Sequence, residues 1–419
     1  MAKNFDIPLF YSSPLISTIK SARRIQDHYK KDLAPSVVDL GRVRFKIARH
    51  FGFCYGVENA IDITYRAIKE NPDKRVFLLS EMIHNAHVNA DLMARGVRFL
   101  MKTNGEHLIP FDELKSDDIV IVPAFGTTAE IFQRLREIGI DPQVYNATFP
   151  FVEKVWKRSS QLGEKGYAVI IHGKHYHEET RATFSHANKA APSLIIRDIE
   201  EAKILAEYIR HERPFEKFEE DFPGRASNNF SPAEHLRRIG VVNQTTMLAT
   251  ETQQISDLLK EAIREYHGEE SPREHFADTR DTLCYATNEN QDAMYRLIES
   301  GGDIAIIVGG YNSSNTSHLV ELCEGKIPAY YVKDADEILD GETIRHLDLN
   351  RHEVVVSRDW LPEKRPLEVL MTAGASCPDA LVDQVLARIA SILGAHEEIE
   401  KAMEPYRELT AAQAKTADD

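Results

Sequence analysis

Two cysteines stand in turns that run into helix-period segments. Cys54 lies in His50-Phe51-Gly52-Phe53-Cys54-Tyr55-Gly56-Val57-Glu58-Asn59-Ala60, and Cys284 in Thr282-Leu283-Cys284-Tyr285-Ala286-Thr287-Asn288. A helix N-terminus offers unsatisfied N–H groups and the positive end of the dipole, so a thiol there loses its proton readily and becomes a nucleophile or a metal ligand. A small buried hydrophobe is the other role open to a free cysteine. A third turn of the same pattern, Thr148-Phe149-Pro150-Phe151-Val152-Glu153-Lys154-Val155, carries Phe149 where the other two carry sulfur.

Three further stretches carry donors and acid–base groups at the ends of apolar runs. Gly309-Gly310-Tyr311-Asn312-Ser313-Ser314-Asn315 sets hydroxyls and amides behind two glycines, the composition of an anion cradle and equally of a turn with a helix cap. Thr372-Ala373-Gly374-Ala375-Ser376-Cys377-Pro378-Asp379 has the same double meaning. His172, His175 and His177, followed by Glu178 and Glu179, have a spacing that could serve zinc, bind phosphate with a proton donor alongside, or line a polar loop without a role. Gln244-Thr245-Thr246 places hydroxyls beyond a short strand, and His84 stands alone in Glu81-Met82-Ile83-His84-Asn85.

These residues need elements to position them. From Arg44 onward, short runs such as Ile119-Val120-Ile121-Val122, Ala168-Val169-Ile170-Ile171 and Ile304-Ala305-Ile306-Ile307-Val308 alternate with helix-period segments at 128–138, 250–265, 290–299 and 379–393. Continuous apolar strands alternating with helices predict parallel α/β sheets, with ligands bound beyond the carboxyl ends of the strands. Three strand-end loops and three helix-mouth turns predict an α/β fold of three pseudo-threefold related units, with small parallel sheets around a central site. The expected divisions are an N-terminal extension at 1–43, units at 44–147, 148–281 and 282–393, and a polar tail at 394–419. Residues 206–236 are charged and broken by Pro214, Pro223 and Gly224, and read as a surface insertion within the second unit.

Bulk properties narrow the partners. The 419 residues carry 51 basic and 66 acidic side chains, a formal net charge of −15, which disfavours nucleic acid and anionic membrane as partners. Four cysteines make no disulfide framework, and no apolar run has the length of a signal peptide or a membrane span, so a reducing cytoplasm is the expected compartment.

With these motifs assembled, the chain resembles the 4-hydroxy-3-methylbut-2-enyl diphosphate reductase family over about residues 45–390. The resemblance rests on Gly52-Phe53-Cys54-Tyr55-Gly56-Val57, Ile83-His84-Asn85, His177-Glu178-Glu179-Thr180, Asn243-Gln244-Thr245-Thr246, Asp281-Thr282-Leu283-Cys284-Tyr285-Ala286-Thr287, Asn312-Ser313-Ser314-Asn315 and Gly374-Ala375-Ser376. The Pro123-Ala124-Phe125-Gly126 loop resembles the longer branch of that family, in which Phe replaces a histidine of the shorter branch. The resemblance implies a [4Fe-4S] cluster held by Cys54 and Cys284. It also implies a diphosphate held by His84, His177, Ser313, Asn315 and Ser376 with Ser314 beside them, Thr245 near the substrate hydroxyl, and Glu179 delivering protons. The implied reaction removes an allylic hydroxyl as water with two electrons from a ferredoxin- or flavodoxin-type donor, giving isopentenyl and dimethylallyl diphosphate.

One position departs from the pattern. The family's third cluster cysteine falls at Phe149, and a phenyl ring offers iron no lone pair. A single base change converts a Cys codon to Phe. The alternatives are therefore a cluster-deficient variant or paralogue that keeps diphosphate binding, and a zinc hydrolase using the two thiols and the histidines.

Overall fold

The computed structural model describes residue 5 and residues 7–268, 272–277 and 282–417. Residues 1–4 and Asp6 of the extension, Asp281 of the third helix-mouth motif and residues 418–419 of the tail lie outside them.

Apolar strands and amphipathic helices alternate to build three mainly parallel sheets. The first runs in the spatial order Ser36–Asp39, Val43–Ile47, Leu367–Ala373, Ile304–Val308, Ala329–Val332. Only its outermost pair is antiparallel. Arg98–Phe99, Val76–Leu78 and Ile119–Ile121 form the second sheet, and Ser193–Ile196, Ala168–His172, Ile239–Asn243 and Phe276–Ala277 the third, both parallel throughout. Every residue of Ala168–His172, Ile239–Asn243 and Ile304–Val308 is buried, as strands covered on both faces must be. The mixed α/β class with small parallel sheets is thus the one the apolar runs predict.

Contacts group the chain into two compact units. One comprises Met1–Glu58, His84–Ala86 and Tyr285–Asp419; the other comprises Asn59–Ile83 and His87–Cys284. The strand Val43–Ile47 lies in the sheet of the C-terminal strands, with Phe45 opposite Val369. Charge complements the register: Glu368 on the neighbouring strand receives Arg44 Nη1, directly opposite, at 2.9 Å and Lys46 Nζ, two residues along, at 2.7 Å. The extension is structured too. Ser13 accepts the Ile16 N–H at 3.1 Å and caps the helix Pro14–Gln26, which buries Ile16, Ile19 and Ala22 and packs on the tail helix Glu404–Ala417.

Residues 206–236 begin within the helix Ile199–Ile209 and are otherwise mostly exposed or half-buried. Their prolines do reduce the backbone to short turns at Phe215–Lys217, Phe218–Asp221 and Pro232–His235, but Phe218 and Phe222 are buried against Tyr208, with ring centroids 5.2 and 6.3 Å away. The Ser227 N–H donates to Ser193 O at 2.8 Å and ties the stretch to the edge strand of the third sheet. Aromatic residues spaced without helix or strand period gave no sign of this among so many charges. A hairpin of Thr343–Asp348 and Glu353–Arg358 was likewise unmarked, its strands being rich in polar residues. No helix among the described residues is long and apolar enough to cross a membrane.

Candidate active site

The three helix mouths form as their sequences suggest. Helices Tyr55–Glu70, Pro150–Glu164 and Tyr285–Glu299 each begin one residue after Cys54, Phe149 and Cys284. Each mouth is tied by the same bond. The backbone N–H of Cys54 donates to Ala375 O at 3.3 Å, that of Phe149 to Ala124 O at 2.8 Å and that of Cys284 to Thr245 O at 3.4 Å. All three acceptors lie just beyond a parallel strand, so the internal repeat is a repeat of hydrogen bonding as well as of pattern. Cys54 and Cys284 are half-buried, whereas Cys323 and Cys377 are buried. Burial pushes the Cys323 thiol up to about 12 and raises that of Cys377 as well, which keeps both protonated.

Within the first unit, the glycine-rich loop after Ile304–Val308 leads to Ser313, the N-cap of the helix Ser314–Glu321. Ser313 Oγ accepts the Thr316 N–H at 3.2 Å and the Thr316 hydroxyl at 2.9 Å. Asn315 Oδ1 accepts the Ala375 N–H at 2.8 Å, and Ser376 Oγ donates to His84 O at 3.3 Å. These bonds bring His84, Ser313, Ser314, Asn315 and Ser376 together, all buried. Ser314 Oγ and Asn315 Nδ2 are buried with no hydrogen-bond partner among the described residues. Orphaned donors of this kind are costly and point to a ligand that satisfies them. The glycines are required by close approach: a Cβ on Gly310 would collide with His84 O, and one on Gly374 with Thr316 Oγ1. Gly374→Ala is expected to cost about 1–3 kcal/mol as an overpacked core substitution does. An unchanged urea midpoint would contradict that close contact.

The second unit brings Glu179, Thr245 and His177 together. Glu179 is fully buried, with Oε1 accepting the Thr245 N–H at 2.5 Å and Oε2 accepting the Thr245 hydroxyl at 3.0 Å. His177 caps the helix Glu178–Asn188, its Nδ1 accepting the Glu179 N–H at 3.2 Å, which leaves the proton of a neutral ring on Nε2. Cys284 joins this group through its bond to Thr245 O. Phe149 reaches it through rings, standing 5.8 Å and 72° from Phe125, which is 5.5 Å and 83° from His177.

The N-terminal segment holds the Cys54 turn from outside. Phe5 meets the ring of Tyr55 at 4.9 Å, Tyr11 that of Phe53 at 5.8 Å, and Lys20 Nζ donates to Phe51 O at 3.1 Å and Asp379 Oδ1 at 2.7 Å. Gly52, at φ +76°, makes the bend that presents both rings. Removing one aromatic contact with Tyr11→Ala is expected to speed alkylation of Cys54 by about two- to tenfold relative to Cys284. Mass spectrometry of iodoacetamide adducts measures it, and equal rates in both proteins would mean that Tyr11 does not hold the turn.

Residues 45–390 match the family described as LytB protein. The chain belongs to the LytB family. Relatives named 4-hydroxy-3-methylbut-2-enyl diphosphate reductase include those of Gloeobacter violaceus, 37% identical over 85% of each chain, and Thermosynechococcus vestitus, 38% identical over 84% of this chain and 85% of that one. Two solved structures share the fold. One is of (E)-4-hydroxy-3-methyl-but-2-enyl diphosphate reductase, the terminal enzyme of the non-mevalonate pathway (TM-score 0.50, 24% identity, 83% of this chain and 99% of that one). The other is of E-1-hydroxy-2-methyl-but-2-enyl-4-diphosphate reductase from Plasmodium falciparum (TM-score 0.58, 19% identity, 84% of this chain and 88% of that one).

In this LytB chain the third helix mouth does not fit a three-cysteine iron–sulfur site. Phe149 makes the same backbone bond as Cys54 and Cys284, but its side chain ends in a ring within an aromatic stack. Among the described residues no group of three or more His, Cys, Asp or Glu could hold a metal ion. The histidine trio that could have served zinc is dispersed. His172 ends its strand with Nδ1 at 2.9 Å from Thr252 Oγ1, His175 is exposed, and His177 caps a helix. Two participants escaped the motif reading. Thr316 fills the space left by Gly309 and Gly374, a role that two side-chain-less positions after two strands could have signalled. Asn290, whose Nδ2 donates to Asn315 Oδ1 at 3.4 Å, looks like any polar residue of an amphipathic helix.

Proposed function

We propose that this LytB-family chain binds 4-hydroxy-3-methylbut-2-enyl diphosphate and, as a reductase, removes its allylic hydroxyl as water to give isopentenyl and dimethylallyl diphosphate. The observation that carries the reading is the cradle with two orphaned donors, Ser314 Oγ and Asn315 Nδ2, in a chain that matches the family across residues 45–390. An oxygen-rich anion answers both donors. His84, His177, Ser313 and Ser376 supply the remaining contacts by resemblance, so a protein of net charge −15 grips a diphosphate without a lysine cluster.

Glu179 is the proton source in this reading. Its carboxyl bonds directly to the Thr245 hydroxyl, and a hydroxyl can accept one proton while passing on another, so the pair can deliver a proton to a leaving oxygen. By resemblance, electrons come from a ferredoxin- or flavodoxin-type donor through a [4Fe-4S] cluster, in the cytoplasm. Of the ligands for such a cluster the chain carries Cys54 and Cys284. Phe149 therefore favours a second reading, a protein that binds the diphosphate without reducing it.

Calorimetry with the substrate alcohol diphosphate, followed by anaerobic turnover with a reduced ferredoxin, separates the two. Binding with turnover supports the reductase, and binding without turnover supports the second reading. Absence of binding would overturn both.

A further inference from the structure

We propose that Phe149 is a positioning residue for His177, acting through Phe125. The proposal rests on His177 being a diphosphate ligand, as in the reading above.

His177 is fixed at one edge. Its Nδ1 accepts the Glu179 N–H at 3.2 Å, and turning about that contact is the motion a neighbouring ring can limit. Phe125 limits that motion, standing almost perpendicular to the imidazole with centroids 5.5 Å apart. Phe125 is itself held on two sides. The turn at Gly126, with φ +74°, has no room for a side chain because Trp156 lies against it, and this sets the backbone. Phe149 also meets the Phe125 ring edge-to-face, 5.8 Å away at 72°. The backbone of Phe149 is anchored to Ala124 O, next to Phe125, so the two rings are linked through main chain and side chain alike.

Edge-to-face pairs of this kind hold rings in place beyond what burial alone achieves. A thiol at position 149 has no ring to reach Phe125. The residue that departs from the helix-mouth pattern therefore does something that a cysteine there could not: it backs the stack that orients His177. A ligand side chain held in its binding geometry loses less freedom when the anion arrives.

The test uses the full chain with inorganic diphosphate as the probe. Phe149→Ala and Phe149→Leu are compared with the unaltered protein by calorimetry, and the imidazole nitrogens of His177 are followed by NMR in protein labelled with 15N-histidine, assigned with His177→Gln. Phe149→Ala is expected to weaken diphosphate binding about three- to tenfold. It should also move the His177 signals from those of the fixed Nε2–H tautomer toward tautomer-averaged ones. Phe149→Leu, which keeps bulk without an aromatic face, is expected to fall between, and Phe149→Tyr to restore both readouts. If Phe149→Ala does not fold, Phe149→Leu against Phe149→Tyr carries the comparison. Unchanged His177 signals in the folded variants overturn the proposal, whatever the affinity. Altered signals in a protein that does not bind diphosphate would sustain the positioning and remove the functional reading beneath it.

Discussion

Phe149→Cys is expected to raise the iron retained after anaerobic reconstitution toward the roughly four atoms per chain of a four-iron cluster, and to bring reductase turnover with it. The substitution replaces a ring by a third helix-mouth thiol on a backbone already held as the other two are, by an N–H bond to a strand-end carbonyl. A thiol at a helix N-terminus has the environment that favours its ionised, metal-binding form. Iron content and broad visible absorbance are the measurements. If neither iron nor turnover rises, position 149 is not the third ligand position and the residue-by-residue resemblance fails there. The same variant carries a second, opposite expectation. Without the ring against Phe125, it should bind inorganic diphosphate less tightly than the unaltered chain. Gain of iron with loss of affinity would show that one residue decides between two uses of the same mouth.

The local helix mouths were more legible than the pairing of distant strands, and the reasons are physical. Cys54, Cys284 and Phe149 lie at helix mouths because Pro150, the glycines near Cys54 and the onset of helical period are local signals, readable over a few residues. Glu179 and Thr245 are 66 positions apart, and only the pairing of Ala168–His172 with Ile239–Asn243 sets their loops side by side. Family motifs named both residues but not their bond to each other. Partner choice between distant strands was not legible at all. Phe45-Lys46-Ile47-Ala48 reads as the first strand of a new unit, but Arg44 and Lys46 find their counter-charge on Glu368, more than 300 positions later. Residues 206–236 were legible only in part. Composition registers the charges that face water, whereas Phe218 and Phe222 decide where the stretch goes.

Glu179→Gln is the other large effect, and it separates proton delivery from binding. The carboxylate receives two donors from one residue, the Thr245 N–H on Oε1 and the Thr245 hydroxyl on Oε2. An amide can accept only one of them and turns its NH2 toward the other, so a buried donor loses its acceptor. That loss is expected to cost about 1–3 kcal/mol of stability. The amide also has no transferable proton, and removal of a positioned general acid typically lowers turnover by about 10²–10⁴-fold. Turnover is best measured in the Phe149→Cys background, with diphosphate affinity followed in parallel. The Glu179 N–H that His177 Nδ1 accepts is untouched by the change, and none of the cradle bonds made by Ser313, Asn315 or Ser376 involves the carboxyl, so affinity should stay within about twofold of the parent. Retained turnover would remove Glu179 as the proton source. Equal losses of turnover and of affinity would instead make it part of the architecture that holds the His177 helix, because a group that only delivers a proton has no reason to change how tightly the diphosphate is held.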